Sequence, residues 1–256
     1  MAKKRFGQHF LTDPSILERI VSFARISPTD TVVEIGPGRG SLTRAIARVA
    51  RQVVAVEIDR DLIAELRGNL PANVELVEAD GLEVDLTTLT NQPFHLIGNL
   101  PYNVATPLLD RFIRARHYIQ SVTVMVQKEV ADRILAEPGT RQYSPLSIGI
   151  QYYADVAPGF TVPPGAFAPT PKVQSRVIRL TWHSDRPDSP KLIPFVGRAF
   201  ASRRKKLINN LNAMYPEMNR QALTEVLENL SLNPDLRPEN LSVKDFVRLH
   251  HALEAR

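Results

Sequence analysis

The chain has 256 residues, of which 43% are hydrophobic and 23% are charged, and its formal net charge at pH 7 is +5. This length and composition predict one large folded domain, or a large domain with a small companion, and exclude a disordered chain. The sequence contains no cysteine, which excludes a disulfide framework and a thiolate metal site.

Charge and hydropathy indicate the compartment of the protein and the kind of partner that it could bind. The stretch MAKKRFGQHFLTDPSIL is basic but lacks the apolar core of a secretory signal, and no run of about 18 apolar residues could span a membrane. We therefore expect a cytoplasmic protein, with a monomer as the default state. The histidines lack the spacing of metal ligands, so no metal is expected. The positive net charge permits a polyanionic partner.

Strands and helices alternate along the first part of the chain. The predicted strands are, in order, TVVEIG, QVVAVEID, VELVEAD, FHLIGN and SVTVMVQ. The predicted helices are SILERIVSFARI, SLTRAIARVA, RDLIAELRGNL, TPLLDRFIRA and KEVADRILAE. This order predicts an α/β fold with a mostly parallel, doubly wound sheet. Ligands of such sheets bind beyond the carboxyl ends of the strands.

The pattern changes after about residue 155. A proline-rich stretch precedes strand-like alternation from Val173 to Thr181, and SDRPDSPK (184–191) is typical of a linker. Helical spacing then returns in LIPFVGRAFASRRKKLINNLNAM, NRQALTEVLENL and SVKDFVRLHHAL. We predict two domains, residues 1–183 and a small helical, basic domain over residues 184–256.

Acidic residues and glycines mark the ends of the first three predicted strands. Glu34 precedes a turn that contains Gly36, Gly38 and Gly40. Glycines let the backbone approach a ligand closely, although a tight turn alone would also use them. A dinucleotide fingerprint would need glycine at position 41, which is Ser41.

Two further carboxylates point to the kind of ligand. Glu57 could accept hydrogens from ribose hydroxyls, and Asp80 could accept from an adenine amino group or cap a helix. Three strand ends with this chemistry predict a nucleoside ligand.

The tetrapeptide NLPY (99–102) ends the fourth strand. Alone it would indicate only a turn. Beside a nucleoside site, the Asn99 side-chain oxygen and the Leu100 carbonyl could accept the hydrogens of an adenine amine and stabilise the charge growing there. Pro101 fixes the backbone, and Tyr102 offers a flat face on which the base can stack.

With these features the chain resembles the class I methyltransferases that use S-adenosylmethionine, and among them the ribosomal RNA adenine dimethyltransferases. The similar blocks follow the family's order: RFGQHFLTD (5–13), EIGPGRGSLT (34–43), GNLPYNVATPLL (98–109), MVQKEVADRI (125–134), PPGAFAPTPKVQSRVIRL (163–180) and AFASRRKKLINNL (199–211). The NLPYN form and the closing basic block are more similar to the small-subunit enzymes. The resemblance implies a class I methyltransferase domain that dimethylates two adjacent adenosines near the 3′ end of 16S rRNA in a small-subunit particle.

The resemblance also implies roles for residues. The implied S-adenosylmethionine contacts are Gln8, His9, Leu11, Gly36, Gly38, Glu57, Ile58, Asp80, Gly81 and Asn99. Many relatives have asparagine where this chain has His9. Phe167 is similar to a second aromatic wall, which would close the base from the face opposite Tyr102.

Basic residues predict a surface that follows RNA phosphates. One cluster is predicted on a helix in RAFASRRKKL. The whole predicted set is Lys3, Lys4, Arg5, Lys172, Arg198, Arg203, Arg204, Lys205 and Lys206.

Other functions remain open at this point. Adenine methylation of large-subunit rRNA or of DNA uses related chemistry. A nicotinamide-dependent oxidoreductase would share the sheet, but Ser41 and the NLPY tetrapeptide argue against it. A non-catalytic ribosome-assembly factor is disfavoured by the intact set of Asn99, Tyr102, Glu57 and Asp80.

Overall fold

The computed structural model describes residues 9–254, which form two compact units. The first comprises the chain up to Ala131 together with Asp155–Trp182, and the second comprises Asp132–Ala154 and the chain from His183 onward. The second unit thus includes residues 132–154, which the linear partition assigned to the first domain. The composition of the linker marks only where the chain changes character. It does not show that residues 132–154, which precede the linker, pack with the helices that follow it. The functional division into a methyltransferase domain and an RNA-contacting domain stays a prediction.

The first unit is built around a large sheet. Its strands, in chain order, are β1 (Phe10–Leu11), β2 (Thr31–Ile35), β3 (Gln52–Glu57), β4 (Val74–Glu78), β5 (Phe94–Asn99), β6 (Ile119–Gln127), β7 (Ala154–Val162), β8 (Phe167–Ala168) and β9 (Ser175–Trp182). Within residues 9–254, seven of them form one sheet in the order β4-β3-β2-β5-β6-β9-β7, and β1 pairs with β8 in a separate ribbon.

The pairing confirms a mostly parallel sheet. β2 pairs in parallel with β3 and β5, β3 with β4, and β5 with β6, whereas β6 and β9 are antiparallel. Every residue of β2 is buried, as expected for a central parallel strand that is covered on both faces. The carboxyl ends of β2, β3, β4 and β5 therefore meet at one edge of the sheet.

Helices connect and cover these strands. They are α1 (Pro14–Ala24), α2 (Ser41–Ala47), α3 (Arg60–Leu66), α4 (Ala105–Arg114) and α5 (Lys128–Ile134). α1 begins where the Asp13 side chain accepts hydrogen bonds from the Ser15 and Ile16 N–H groups, with Pro14 in the first turn. α1 packs against β6 and β9, and α3 packs against β3 and β4.

The second unit is helical. Its helices are α6 (Pro145–Tyr153), α7 (Leu192–Ala199), α8 (Leu207–Met214), α9 (Arg220–Asn229) and α10 (Val243–Glu254). They surround a core in which Phe195, Leu211 and Phe246 are buried. Among the helices within residues 9–254, none combines the length and the apolar character needed to cross a membrane.

The helical spacing of residues 192–214 is divided between α7 and α8, so the prediction that the basic run of RAFASRRKKL lies on a helix is wrong. The Asn210 side-chain amide donates to the Ala199 carbonyl at 2.7 Å and to the Ser202 carbonyl at 3.3 Å. It thus satisfies the Ala199 carbonyl, which the end of α7 leaves without a helical partner, and adds a second donor to a turn carbonyl beyond the helix. The basic run of residues 203–206 lies in the connection between the two helices, not on a helix.

Candidate active site

A cavity of about 330 Å³ lies at the carboxyl ends of β2, β3, β4 and β5. The predicted cofactor residues that line it are His9, Leu11, Gly36, Gly38, Glu57, Ile58, Asp80, Gly81 and Asn99. Gln8 lies outside the described residues. A cavity of this volume is in the range of small-molecule sites. Residues 9–11, which precede α1 in the chain, also line it.

The turn after β2 depends on glycine. Gly36 and Gly38 have φ angles of +74° and +59°, in the left-handed region that other residues rarely adopt. A Cβ atom on Gly38 would lie 2.9 Å from Cδ1 of Phe10. The Phe10 ring therefore covers the turn at a distance that leaves no room for a side chain at position 38.

Glu57, at the end of β3, has a carboxylate that already holds three backbone N–H groups. Oε1 accepts from Ile58 and Asp59, each at 2.9 Å, and Oε2 accepts from Gly38 at 3.1 Å. Burial raises the pKa of Glu57, and these N–H groups oppose that rise by stabilising the charged form. Because each carboxylate oxygen can accept two hydrogens, Oε2 retains one position for a ribose hydroxyl. Glu57 thus also joins the end of β3 to the glycine turn, which the sequence did not indicate.

Glu34 received no specific role from the sequence, yet it lines the cavity and is only 1% exposed. Its Oε2 atom is buried and has no hydrogen-bond partner among the described residues. Burial, reinforced by the nearby Glu57 charge, raises the pKa of Glu34 to about 8. An orphaned carboxylate oxygen of this kind fits a ligand that brings a cationic or hydrogen-donating group.

Asp80 follows β4, and its side chain fixes a turn and does not cap a helix. Its Oδ1 atom accepts from the Leu82 N–H at 2.8 Å, and its main-chain carbonyl accepts from Glu83 and Val84 at 2.9 and 2.8 Å. One carboxylate oxygen therefore fixes the turn. The other, Oδ2, remains to accept from an amino group of a ligand.

The NLPY residues line the same cavity. The Asn99 side-chain amide donates to the His9 carbonyl at 3.0 Å, and the Leu100 N–H donates to the Met125 carbonyl at 3.1 Å. The Tyr102 hydroxyl shares a hydrogen bond of 2.7 Å with Ser175, and burial raises the pKa of Tyr102. One cavity thus brings together the predicted cofactor contacts and the predicted amine acceptors.

Phe167, the predicted second aromatic wall, lies in the hydrophobic core. It is 3% exposed and belongs to the buried hydrophobic cluster that includes Leu11 and Ile16, and it does not line the cavity found within residues 9–254. Its pairing with Leu11 across the β1–β8 ribbon explains this placement, since directly opposed residues project to the same side of a ribbon. Phe167 thus packs in the hydrophobic cluster, and its role as a second aromatic wall stays a prediction.

The predicted RNA-binding residues differ in exposure and in whether they already have an acidic neighbour. Lys3, Lys4 and Arg5 lie outside the described residues, and Lys172 is exposed in the segment between β8 and β9.

In the second unit, Arg198, Arg204 and Lys205 are exposed. Arg203 instead lies 3.8 Å from the Glu239 carboxylate, and Lys206 lies 2.7 Å from that of Asp235. No ion pair found within residues 9–254 involves Arg204 or Lys205.

Known proteins that are similar to this chain include methyltransferases of ribosomal RNA and a dimethyladenosine transferase. A family model described as ribosomal RNA adenine dimethylase matches residues 1–254. The chain is 43% identical to the ribosomal RNA small subunit methyltransferase A of Marinobacter nauticus, over 97% of this chain and 90% of that protein. It is similar to the crystal structure of a dimethyladenosine transferase from Plasmodium falciparum, with a TM-score of 0.82 and 27% identity. The match covers 96% of this chain and 98% of that chain. It is also similar to the crystal structure of the 23S rRNA methyltransferase ErmE, with a TM-score of 0.71 and 26% identity. That match covers 96% of this chain and 99% of the ErmE chain.

Proposed function

Because the chain belongs to the ribosomal RNA adenine dimethylase family, we propose that the adenines it methylates lie in the RNA of the small ribosomal subunit. The protein is an S-adenosylmethionine-dependent enzyme that dimethylates adenine in ribosomal RNA. The identity of 43% to a small-subunit methyltransferase, against 26% to a 23S rRNA enzyme, carries the choice of subunit. The proposed targets are two adjacent adenosines near the 3′ end of 16S rRNA, methylated by a monomer acting on a cytoplasmic small-subunit particle.

We propose that three carboxylates hold the methyl donor. The open position on Glu57 Oε2 suits a ribose hydroxyl, and Asp80 Oδ2 suits the adenine amino group of the donor. The orphaned oxygen of Glu34 suits its ammonium group. When bound, S-adenosylmethionine supplies a methyl group on a positively charged sulfur.

The NLPY residues would then act on the target base. An adenine amine is a poor nucleophile, because its lone pair is delocalised into the ring. Acceptance of its two hydrogens by Asn99 Oδ1 and the Leu100 carbonyl favours a pyramidal nitrogen and stabilises its developing positive charge. The nitrogen lone pair forms the new N–C bond as the electron pair of the broken C–S bond stays on sulfur, and the nitrogen then loses a proton to water.

The base must leave its stack to reach these acceptors. The Tyr102 ring, whose hydroxyl is held by Ser175 at 2.7 Å, offers the surface on which it would stack. Base stacking on an aromatic side chain contributes about 1–3 kcal/mol. Outside the cavity, we propose that the exposed cations Lys172, Arg198, Arg204 and Lys205 contact RNA phosphates, together with the basic N-terminal residues.

A substrate comparison tests the choice of subunit. The protein is incubated with labelled S-adenosylmethionine and, in parallel, with small subunits, large subunits and DNA that all lack adenine methylation, and the digested nucleic acid is analysed by mass spectrometry. We expect dimethyladenosine in the small-subunit RNA, on two neighbouring residues. Methylation confined to large-subunit RNA or to DNA would overturn the proposed substrate while retaining the chemistry.

A further inference from the structure

The segment from His9 to Thr12 is tied to the chain between residues 166 and 169. The Thr12 N–H and hydroxyl donate to the Ala166 carbonyl at 2.9 and 3.1 Å. The His9 ring lies with Nδ1 at 2.7 Å from the Pro169 carbonyl. Since a carbonyl only accepts, Nδ1 carries the proton and donates. Side-chain and main-chain bonds thus fix both ends of this short segment.

This fixed segment reaches the catalytic tetrapeptide through one hydrogen bond. The main-chain carbonyl of His9 accepts from Nδ2 of Asn99 at 3.0 Å. A side-chain amide has one donating and one accepting branch. If the amide were reversed, two oxygens would face each other, so the His9 carbonyl selects a single orientation. In that orientation Oδ1 occupies the other branch and is not consumed by the His9 contact.

Taking the amine clamp of the proposed function as given, we propose that the His9 carbonyl is a positioning group for the methyl transfer. It holds the Asn99 amide so that Oδ1, the acceptor, is presented to the adenine amine before the base arrives. The His9 ring centroid also lies 5.7 Å from that of Tyr102, with the planes inclined by 30°. His9 therefore adjoins both the acceptor and the stacking surface.

The positioning role explains why the residue at 99 is an amide. An aspartate would supply an acceptor for the adenine amine, so an acceptor clamp alone would tolerate it. Beside the His9 carbonyl, however, a carboxylate oxygen would replace a donor and face another acceptor. Only a protonated carboxyl would restore both functions, with its O–H donating to His9 and its C=O accepting from the base.

The Asn99→Asp variant tests this role through its pH profile. Single-turnover methyl transfer to unmethylated small subunits is measured from pH 5.5 to 9, and S-adenosylmethionine binding is measured by calorimetry at each pH. At pH 8 we expect a rate at least about a hundredfold below that of the unsubstituted enzyme, equivalent to about 2.7 kcal/mol. The rate should rise by up to about tenfold for each pH unit of acidification, and we expect no such rise for the unsubstituted enzyme.

Asn103→Asp is the matched control. Asn103 lines the same cavity and is exposed, so this change adds the same charge without touching the Asn99–His9 bond. Its pH profile should keep the shape of the unsubstituted enzyme. A similar acid recovery in both variants would assign the effect to charge and overturn the positioning role.

The Asn99→Ala variant distinguishes the positioning role of the His9 carbonyl from the acceptor role of Asn99 in the proposed function. If Asn99→Ala is inactive while Asn99→Asp is fully active at pH 8, the acceptor clamp stands and the positioning role of His9 is wrong. If Asn99→Ala transfers methyl groups at a normal rate, the clamp is wrong as well. Low activity of Asn99→Asp with a flat pH profile also contradicts the positioning role.

Discussion

The Glu57 carboxylate accepts three backbone N–H groups around the glycine turn. We propose that its remaining acceptor position binds the methyl donor. Replacement by alanine should weaken S-adenosylmethionine binding by about tenfold to a hundredfold, since bonds to a charged acceptor contribute about 1.5–3 kcal/mol each. Calorimetry measures the change, while the rate at saturating donor should fall less.

Glu78 provides the matched control for Glu57. It ends the neighbouring strand β4 and pairs with Arg60 at 2.7 Å, and it does not line the cavity found within residues 9–254. Glu78→Ala removes the same charge one strand away and should leave donor binding unchanged. Equal loss of affinity in both variants would show that general charge, not the Glu57 contacts, governs binding.

Glu34 should make the stability of the free enzyme depend on pH. Its folded-state pKa of about 8 lies above the ordinary value of 4.5, so its contribution is fully present below pH 4.5 and is lost as the pH rises towards 8. The loss amounts to roughly 1 kcal/mol for each pH unit in that window. In urea unfolding between pH 5 and 9, Glu34→Gln should therefore gain stability relative to the unsubstituted enzyme as the pH increases. Parallel pH dependences for the two proteins would contradict a buried, protonatable Glu34.

At the scale of elements, the connection between α7 and α8 changes the expectation for the basic run. Residues 203–206 do not form one helical face, and two of the four cations already have acidic neighbours. The sequence showed the cluster of charge but not the Asn210 amide that ends α7, because that contact depends on how the two helices pack. We therefore propose that Arg204 and Lys205 are the side chains of this run that contact RNA phosphates.

Replacing Arg204 and Lys205 with glutamine should lower RNA affinity and reduce its dependence on salt. Each phosphate contact contributes about 0.7–0.9 to the slope of log affinity against log salt, so the slope should fall by about 1–2. Binding to 16S rRNA fragments is measured at several salt concentrations. Lys206→Gln, which removes a cation already paired with Asp235, should change the slope less. An unchanged slope in the double variant would remove this connection from the RNA surface.

At the scale of the whole molecule, strand periodicity and strand-end residues were sufficient to predict the sheet and its binding edge. Alternating segments predicted the five strands β2 to β6 and their order along the chain. The cavity contains the acids and the NLPY residues at the carboxyl ends of β2 to β5. Each of these features is local in sequence. Since a parallel sheet brings the carboxyl ends of its strands to one edge, their meeting in one cavity could be predicted.

The parts that were missed depend on distant contacts. The helix α6 belongs to the second unit although it precedes the linker, and Phe167 is buried by pairing with Leu11, more than 150 residues away. The bond from Asn99 to His9 is also long-range. None of these contacts leaves a periodic trace in the sequence.

One assay tests most directly whether the strand end after β5 grips an adenine amine for methylation. The unsubstituted enzyme and Asn99→Ala are each given labelled S-adenosylmethionine and unmethylated small subunits, and the RNA is digested for mass spectrometry alongside calorimetry of donor binding. We predict dimethyladenosine with the unsubstituted enzyme and none with Asn99→Ala, whose affinity for the donor stays within about tenfold. Unmodified adenine in the first reaction, or near-normal dimethylation in the second, would contradict the account.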